Sequence, residues 1–174
     1  MSGSIPSWLF NLPELAYLDL SFNQLQGVLP PHIELPSFVG PTTLNLASNQ
    51  LQGSIPPLLE SVEAIDFSGN NFTGYIPLEL GIGKLKYLSL SGNKLHGQIT
   101  ASFCHSNNKL MLLDLSNNGL EGTVLTGLGN CSSLIFLNLG GNNFGGEIPD
   151  GFKGARVILT LQTIILMALS QDSL

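Results

Sequence analysis

The chain has 174 residues, enough for one sizeable buried core. Charged residues make up only 10% of it, against about a quarter in ordinary domains, and glycine and leucine are abundant, which excludes a disordered chain. The net charge of −6 excludes the broad basic patches that nucleic acid or an anionic membrane surface requires, and favours a basic or sugar-like partner.

The first ten residues contain no basic residue followed by an apolar stretch, so they do not read as a secretory leader. Gly3-Ser-Ile5-Pro6 through Leu12 reads instead as the second half of a repeat whose first half is missing, with Trp8 and Phe10 expected to cover part of that first coil. Next comes Leu18-Asp-Leu20-Ser-Phe-Asn23-Gln-Leu25-Gln-Gly27. The same frame returns from Leu44 through Asn49 to Gly53, from Ile65 through Asn70 to Gly74, and from Leu88 through Asn93 to Gly97. It returns twice more, from Leu113 through Asn118 to Gly122 and from Leu137 through Asn142 to Gly146. The asparagines are 21 to 26 residues apart. A period in this range marks a stack of equivalent coils.

Each L-x-L alternation predicts a short strand with one buried face, and stacking the copies predicts a parallel sheet over a continuous core. The asparagine is expected to end the strand in a turn and to bond backbone groups of its own coil and the next. Most copies continue as G-x-I-P, as in Gly53-Ser-Ile55-Pro56 and Gly74-Tyr-Ile76-Pro77. Proline there favours extended backbone before the outer bend. Toward the end, Leu159-Thr-Leu161 keeps the hydrophobic frame but Ile164 replaces the asparagine. Residues 155–169 are therefore expected to form a degenerate last coil or an apolar tail, and 170–174 a disordered tail. The apolar run from Val157 to Leu169 is shorter than the roughly 20 residues of a membrane span.

The L-x-x-N-x-L-x-G-x-I-P wording resembles the plant-specific class of leucine-rich repeat over about residues 3–149. The resemblance implies an α/β solenoid, a right-handed superhelix with a parallel sheet on the concave face and short 3-10, irregular or β segments on the convex side. On this reading 1–154 form the solenoid, with a partial first coil at 1–12. Family members cap their ends with cysteine-paired segments; none is recognisable, so a truncated, poorly soluble array is expected. The implied function is a non-catalytic module for ligand or protein binding, most like an ectodomain piece of a receptor-like protein or receptor-like kinase in defence or development. The implied partners are a protein or peptide ligand or a cell-wall oligosaccharide, with a co-receptor, at an extracellular or plasma-membrane location in a membrane-anchored parent protein. An enzyme inhibitor resembling polygalacturonase inhibitors, or a truncated gene product without present function, are the alternatives.

Two outward columns of the predicted sheet are candidates for contact with a ligand. The position between the paired leucines reads Asp19, Asn45, Asp66, Ser89, Asp114, Asn138. Its aspartates are about 10 Å apart, too far to share a metal but suited to a row of basic or hydroxyl groups, unless D-L-S is simply solvated scaffold. The preceding position reads Tyr17, Thr43, Ala64, Tyr87, Leu112, Phe136, and Phe22 adds to the same face. Exposed aromatics on such a surface are typical contact anchors. Sequons at Asn71-Phe-Thr73 and Asn130-Cys-Ser132 are glycosylation candidates. Cys104 and Cys131, about one coil apart, leave open a disulfide between coils or two buried thiols, the thiols being favoured by their unequal offsets from the next strands. No cofactor or metal is expected, since the cysteines and the three histidines lack ligand spacing. Neither a nucleophile turn nor a phosphate-cradling loop is evident, and the adjacent Cys104 and His105 point apart, so no enzyme is expected.

Overall fold

Every copy of L-x-L alternates one inward and one outward side chain, and six such segments in parallel can bury their leucines only against one another. The computed structural model describes residues 1–31, 33, 42–57, 62–81, 84–99, 109–123, 128, 131–147 and 158–160. In it the L-x-L segments form one parallel sheet: β2 (Tyr17–Asp19), β4 (Thr42–Asn45), β6 (Val62–Asp66), β8 (Tyr87–Ser89), β10 (Leu112–Asp114), β12 (Phe136–Asn138) and β14 (Ile158–Thr160). The register places Leu18, Leu44, Ile65, Leu88, Leu113 and Leu137 side by side, all buried. Leu159 follows Leu137 in the same register, while residues 161–174 lie outside the described residues.

A second parallel sheet runs through the x-L-x-G segments: β1 (Ser2–Gly3), β3 (Gln24–Val28), β5 (Gln50–Ser54), β7 (Asn71–Gly74), β9 (Lys94–Gly97), β11 (Gly119–Thr123) and β13 (Asn143–Gly145). Its leucines and phenylalanines meet those of the first sheet, and the Phe67 and Phe72 rings lie 5.7 Å apart between the two layers. Short 3-10 segments at Ser7–Asn11 and Leu78–Gly81 lie on the connecting side. The solenoid is thus almost purely β. At the first coil Phe10 is buried, but Trp8 remains 62% exposed and does not join the core. On the outer face of the second sheet, the Tyr75 ring lies over Gly97 and edge-on to His96, at a centroid distance of 4.8 Å. A Cβ at Gly97 would sit 2.4 Å from that ring, and its φ of +86° is itself costly for any L side chain.

The turn between the two sheets is held by the repeat asparagines. Asn93 accepts the Phe72 N–H at 3.0 Å and donates to the carbonyls of Phe67, Leu90 and Ser91 at 3.0, 3.0 and 3.3 Å. Asn49, Asn70, Asn118 and Asn142 repeat this arrangement. Each amide therefore reaches the preceding coil, where bonds to the following one were expected. The reason is directional: its oxygen meets the N–H of the preceding coil's second-sheet leucine or phenylalanine, and its nitrogen meets that coil's last L-x-L carbonyl. Asn23 differs, since its oxygen accepts from the amino group of Met1.

Removing such an amide strands a buried donor and a buried acceptor, each worth about 1–3 kcal/mol. Asn93→Ala is expected to lower unfolding free energy by about 2–4 kcal/mol, measured by denaturant titration, with Asn23→Ala costing clearly less. Equal losses at the two positions would contradict the ladder's role.

Candidate recognition surface

The outer face of the first sheet carries the predicted columns side by side, but the column between the leucines has a structural task that the sequence did not reveal. Asp19 Oδ1 accepts the backbone N–H and the hydroxyl of Ser21 at 2.9 and 2.6 Å. Asp66 does the same with Ser68, and Asp114 with Ser116. Asn45 and Asn138 cap the N–H groups of Ala47 and Gly140 at 3.1 Å. The D-L-S wording is thus a turn that closes each strand.

The second carboxylate oxygens differ from coil to coil. Asp19 Oδ2 accepts the Asn45 amide at 3.2 Å and the Tyr17 hydroxyl at 3.3 Å, and Asp114 Oδ2 accepts the Asn138 amide at 3.4 Å. Ser89 pairs with Asp66 in the register, but its hydroxyl faces Ser91 at 3.4 Å. Among the described residues no donor reaches Asp66 Oδ2. The Ser21 hydroxyl and N–H, with smaller help from Tyr17 and Asn45, hold the Asp19 carboxyl below the usual aspartate range. Because this pKa is depressed on folding, the associated stability is present above the unfolded value and fades as pH falls through the folded one.

The neighbouring column places Tyr17 and Tyr87 at 66% and 43% exposure, with Phe136 partly covered beside Leu112. One position further out lies a column that sequence reasoning missed. Backbone bonds run from Lys86 to Glu63, from Met111 to Lys86 and from Ile135 to Met111, so these four residues stand in adjacent coils. Lys86 and Glu63 form an ion pair at 2.7 Å, and Ile135 is half exposed. The signal was present in the sequence, two positions before each L-x-L, but the strands extend there only in part.

Phe22 is 83% exposed, and its φ of +54° is left-handed. It belongs to the position just before the ladder asparagine, where Ser48, Gly69, Gly92, Asn117 and Gly141 are left-handed too. Glycine or asparagine meets this demand cheaply; a phenylalanine does so at a cost of about 1 kcal/mol or more. Phe22 therefore sits in strained backbone while burying little of its ring. Phe22→Gly is expected to raise stability by about 0.5–1 kcal/mol in thermal or denaturant unfolding; a loss of stability would show that the ring packs in the fold.

Of the other predicted residues, Asn71 lies off this face. Asn71 begins β7 and is partly exposed on the second sheet, beside a shallow polar depression of about 480 Å³ lined by Ser4, Gln26, Gln50 and Gln52. Asn130 and Cys104 lie outside the described residues. Cys131 is disulfide-bonded. Among the described residues no three His, Cys, Asp or Glu side chains converge, and no helix is long and apolar enough to cross a membrane.

A leucine-rich-repeat model matches the chain at residues 14–35, 41–62, 61–81, 84–106, 109–131 and 133–155. Receptor-like protein 53 of Arabidopsis thaliana is 42% identical over 140 residues, covering 79% of this chain and 14% of that protein. Receptor-like protein 6 of the same plant is 35% identical over 156 residues, covering 88% of this chain and 15% of its own length. The chain thus spans less than a fifth of either relative. Among solved structures, the Arabidopsis receptor kinase HAESA, in complex with the peptide hormone IDA and the co-receptor SERK1, superposes with a TM-score of 0.81. It is 33% identical, with coverage of 91% of this chain and 27% of that one. With six matched repeats and one shared register of buried leucines, the chain belongs to the leucine-rich-repeat family.

Proposed function

We propose that the chain is a non-catalytic recognition module that binds an extended peptide along the outer face of its first sheet, as part of a receptor-like protein at the cell surface. The observation that carries this reading is the exposure of Tyr17, Tyr87 and Ile135 on a sheet whose folding does not need them there. Large apolar groups presented in a row, with polar groups alongside, are what a protein partner buries. The peptide-bound HAESA structure supports this class of ligand, and the receptor-like relatives support the receptor setting. Tyr17, Asp19, Phe22, Asp66, Tyr87, Ser89, Asp114, Phe136 and Asn138, together with Ile135, form the contact set. A glycan on Asn71 would project from the second sheet and leave this face open.

A displayed peptide library selected against the immobilised chain tests the reading. Selected peptides are expected to lose about ten-fold or more in affinity on the combined variant Tyr17→Ala, Tyr87→Ala, Phe136→Ala, whose circular dichroism stays unchanged. They are expected to bind the second-sheet variant Gln26→Ala, Gln52→Ala as the parent. Binding that survives the first variant and fails on the second would move the site to the other sheet and overturn the proposal. For the glycan, expression through a eukaryotic secretory route should give a glycosidase-sensitive mobility shift that Asn71→Gln diminishes; an unchanged shift would place the sugar elsewhere.

A further inference from the structure

The outer face of the first sheet is not uniform along the stack. Over β10 and β12 it presents Met111, Leu112, Ile135 and Phe136, four partly or half-exposed apolar side chains in adjacent strands, with Tyr87 next to them on β8. Over β6 the same face carries Asp66, whose Oδ2 receives no donor among the described residues, beside Ala64, the smallest side chain of its column. Lys86, in the neighbouring coil and three residues along the strand from the residue paired with Asp66, is held by Glu63. An apolar patch and, among the described residues, an uncompensated carboxylate oxygen therefore stand on one surface. Asp66 is in register with Asp114 and Asn138, so the patch lies two and three strand spacings across the stack, about 10 and 14 Å, and two to three residues back along the strands, about 7–10 Å, or about 12–17 Å in all.

We infer that the ligand is bipartite: an extended peptide whose adjacent apolar residues cover Met111, Leu112, Ile135 and Phe136, with a Lys or Arg about four to five residues away that donates to Asp66 Oδ2. This rests on the peptide reading above. The spacing follows from the rise of extended chain, about 3.3 Å per residue, along the diagonal from the patch to Asp66. The charge follows from the net −6 of the chain and the open oxygen. Asp19 and Asp114 offer poorer anchors, because their second oxygens already accept the amides of Asn45 and Asn138.

Asp66→Asn is a clean probe. Asn45 and Asn138 occupy the same position in neighbouring coils and cap their turns through the same oxygen, so the fold tolerates the change. Peptides are selected in parallel on the parent chain, on Asp66→Asn, and on Met111→Ser with Ile135→Ser. Those from the parent are expected to carry a basic residue about four or five positions from an apolar pair, in either chain direction. Those from Asp66→Asn should keep the apolar pair and lose the basic residue, and those from the double variant the reverse. With a peptide from the parent selection, Arg→citrulline is expected to weaken binding about ten-fold on the parent and not at all on Asp66→Asn, the signature of a direct pair. An equal effect of citrulline on both chains, or peptides without the spaced basic residue, would overturn the inference. If such peptides are still lost on the Tyr17, Tyr87, Phe136 variant, the peptide-binding reading stands and only the bipartite ligand falls; if they are not, both fall.

Discussion

Everything in this solenoid depends on one buried side-chain amide repeated from coil to coil. In the five coils from Asn49 to Asn142 it joins the end of a first-sheet strand to the start of a second-sheet strand, and ties both to the coil before. No other group can do this as well. A carboxylate lacks the donors, an ammonium or hydroxyl lacks the geometry, and an apolar residue would leave backbone N–H and C=O groups buried without partners. The coils are locked into one register, and the columns on the open face follow from that lock. A recognition surface is thereby obtained without any loop having to be held in place, because each coil presents the same positions at the strand spacing.

The repeat fixes the position of each outward side chain and leaves its chemistry free, within limits that differ by position. Between the leucines, half of every carboxylate is committed to the turn, so aspartate and asparagine interchange there as caps. Only the outer oxygen varies in availability, and the identity of the residue opposite in the next strand decides it. An asparagine opposite Asp19 or Asp114 supplies a donor, whereas the serine opposite Asp66 does not. Before the ladder asparagine the limit is the backbone, which is left-handed in every described coil and makes Phe22 an expensive choice. Strained backbone combined with an exposed ring points to a role outside the fold.

The L-x-L strands, their parallel stacking and the ladder were legible because each is written in the sequence by a residue that has few substitutes. Leu18 and its equivalents announce the core, and Asn49 and its equivalents announce the turn. The second sheet was harder to see, since x-L-x-G offers a single buried residue and a glycine, and reads as a turn as easily as a strand. The capping task of Asp19, Asp66 and Asp114 was hidden for a different reason: a carboxylate between leucines looks outward in either reading, and only the position of the serine two residues on decides its bond. Glycine at 69, 92 and 141 with asparagine at 117 was a sufficient sign of left-handed backbone before the ladder residue, and it would have marked Phe22 as anomalous. The direction of the ladder bonds, toward the preceding coil, had no sequence signal, because either neighbour satisfies the same pattern.

The division of labour between the two sheets is best tested by methyl NMR of the chain with a peptide from the library selection. The side chains of Ala64, Met111, Leu112 and Ile135 report on the first sheet's outer face, while Val28, Thr73 and Thr123 are exposed reporters on the second. The account predicts saturable shifts in the first group and none in the second. Shifts confined to Val28, Thr73 and Thr123 would contradict it, placing the ligand on the face here read as scaffold.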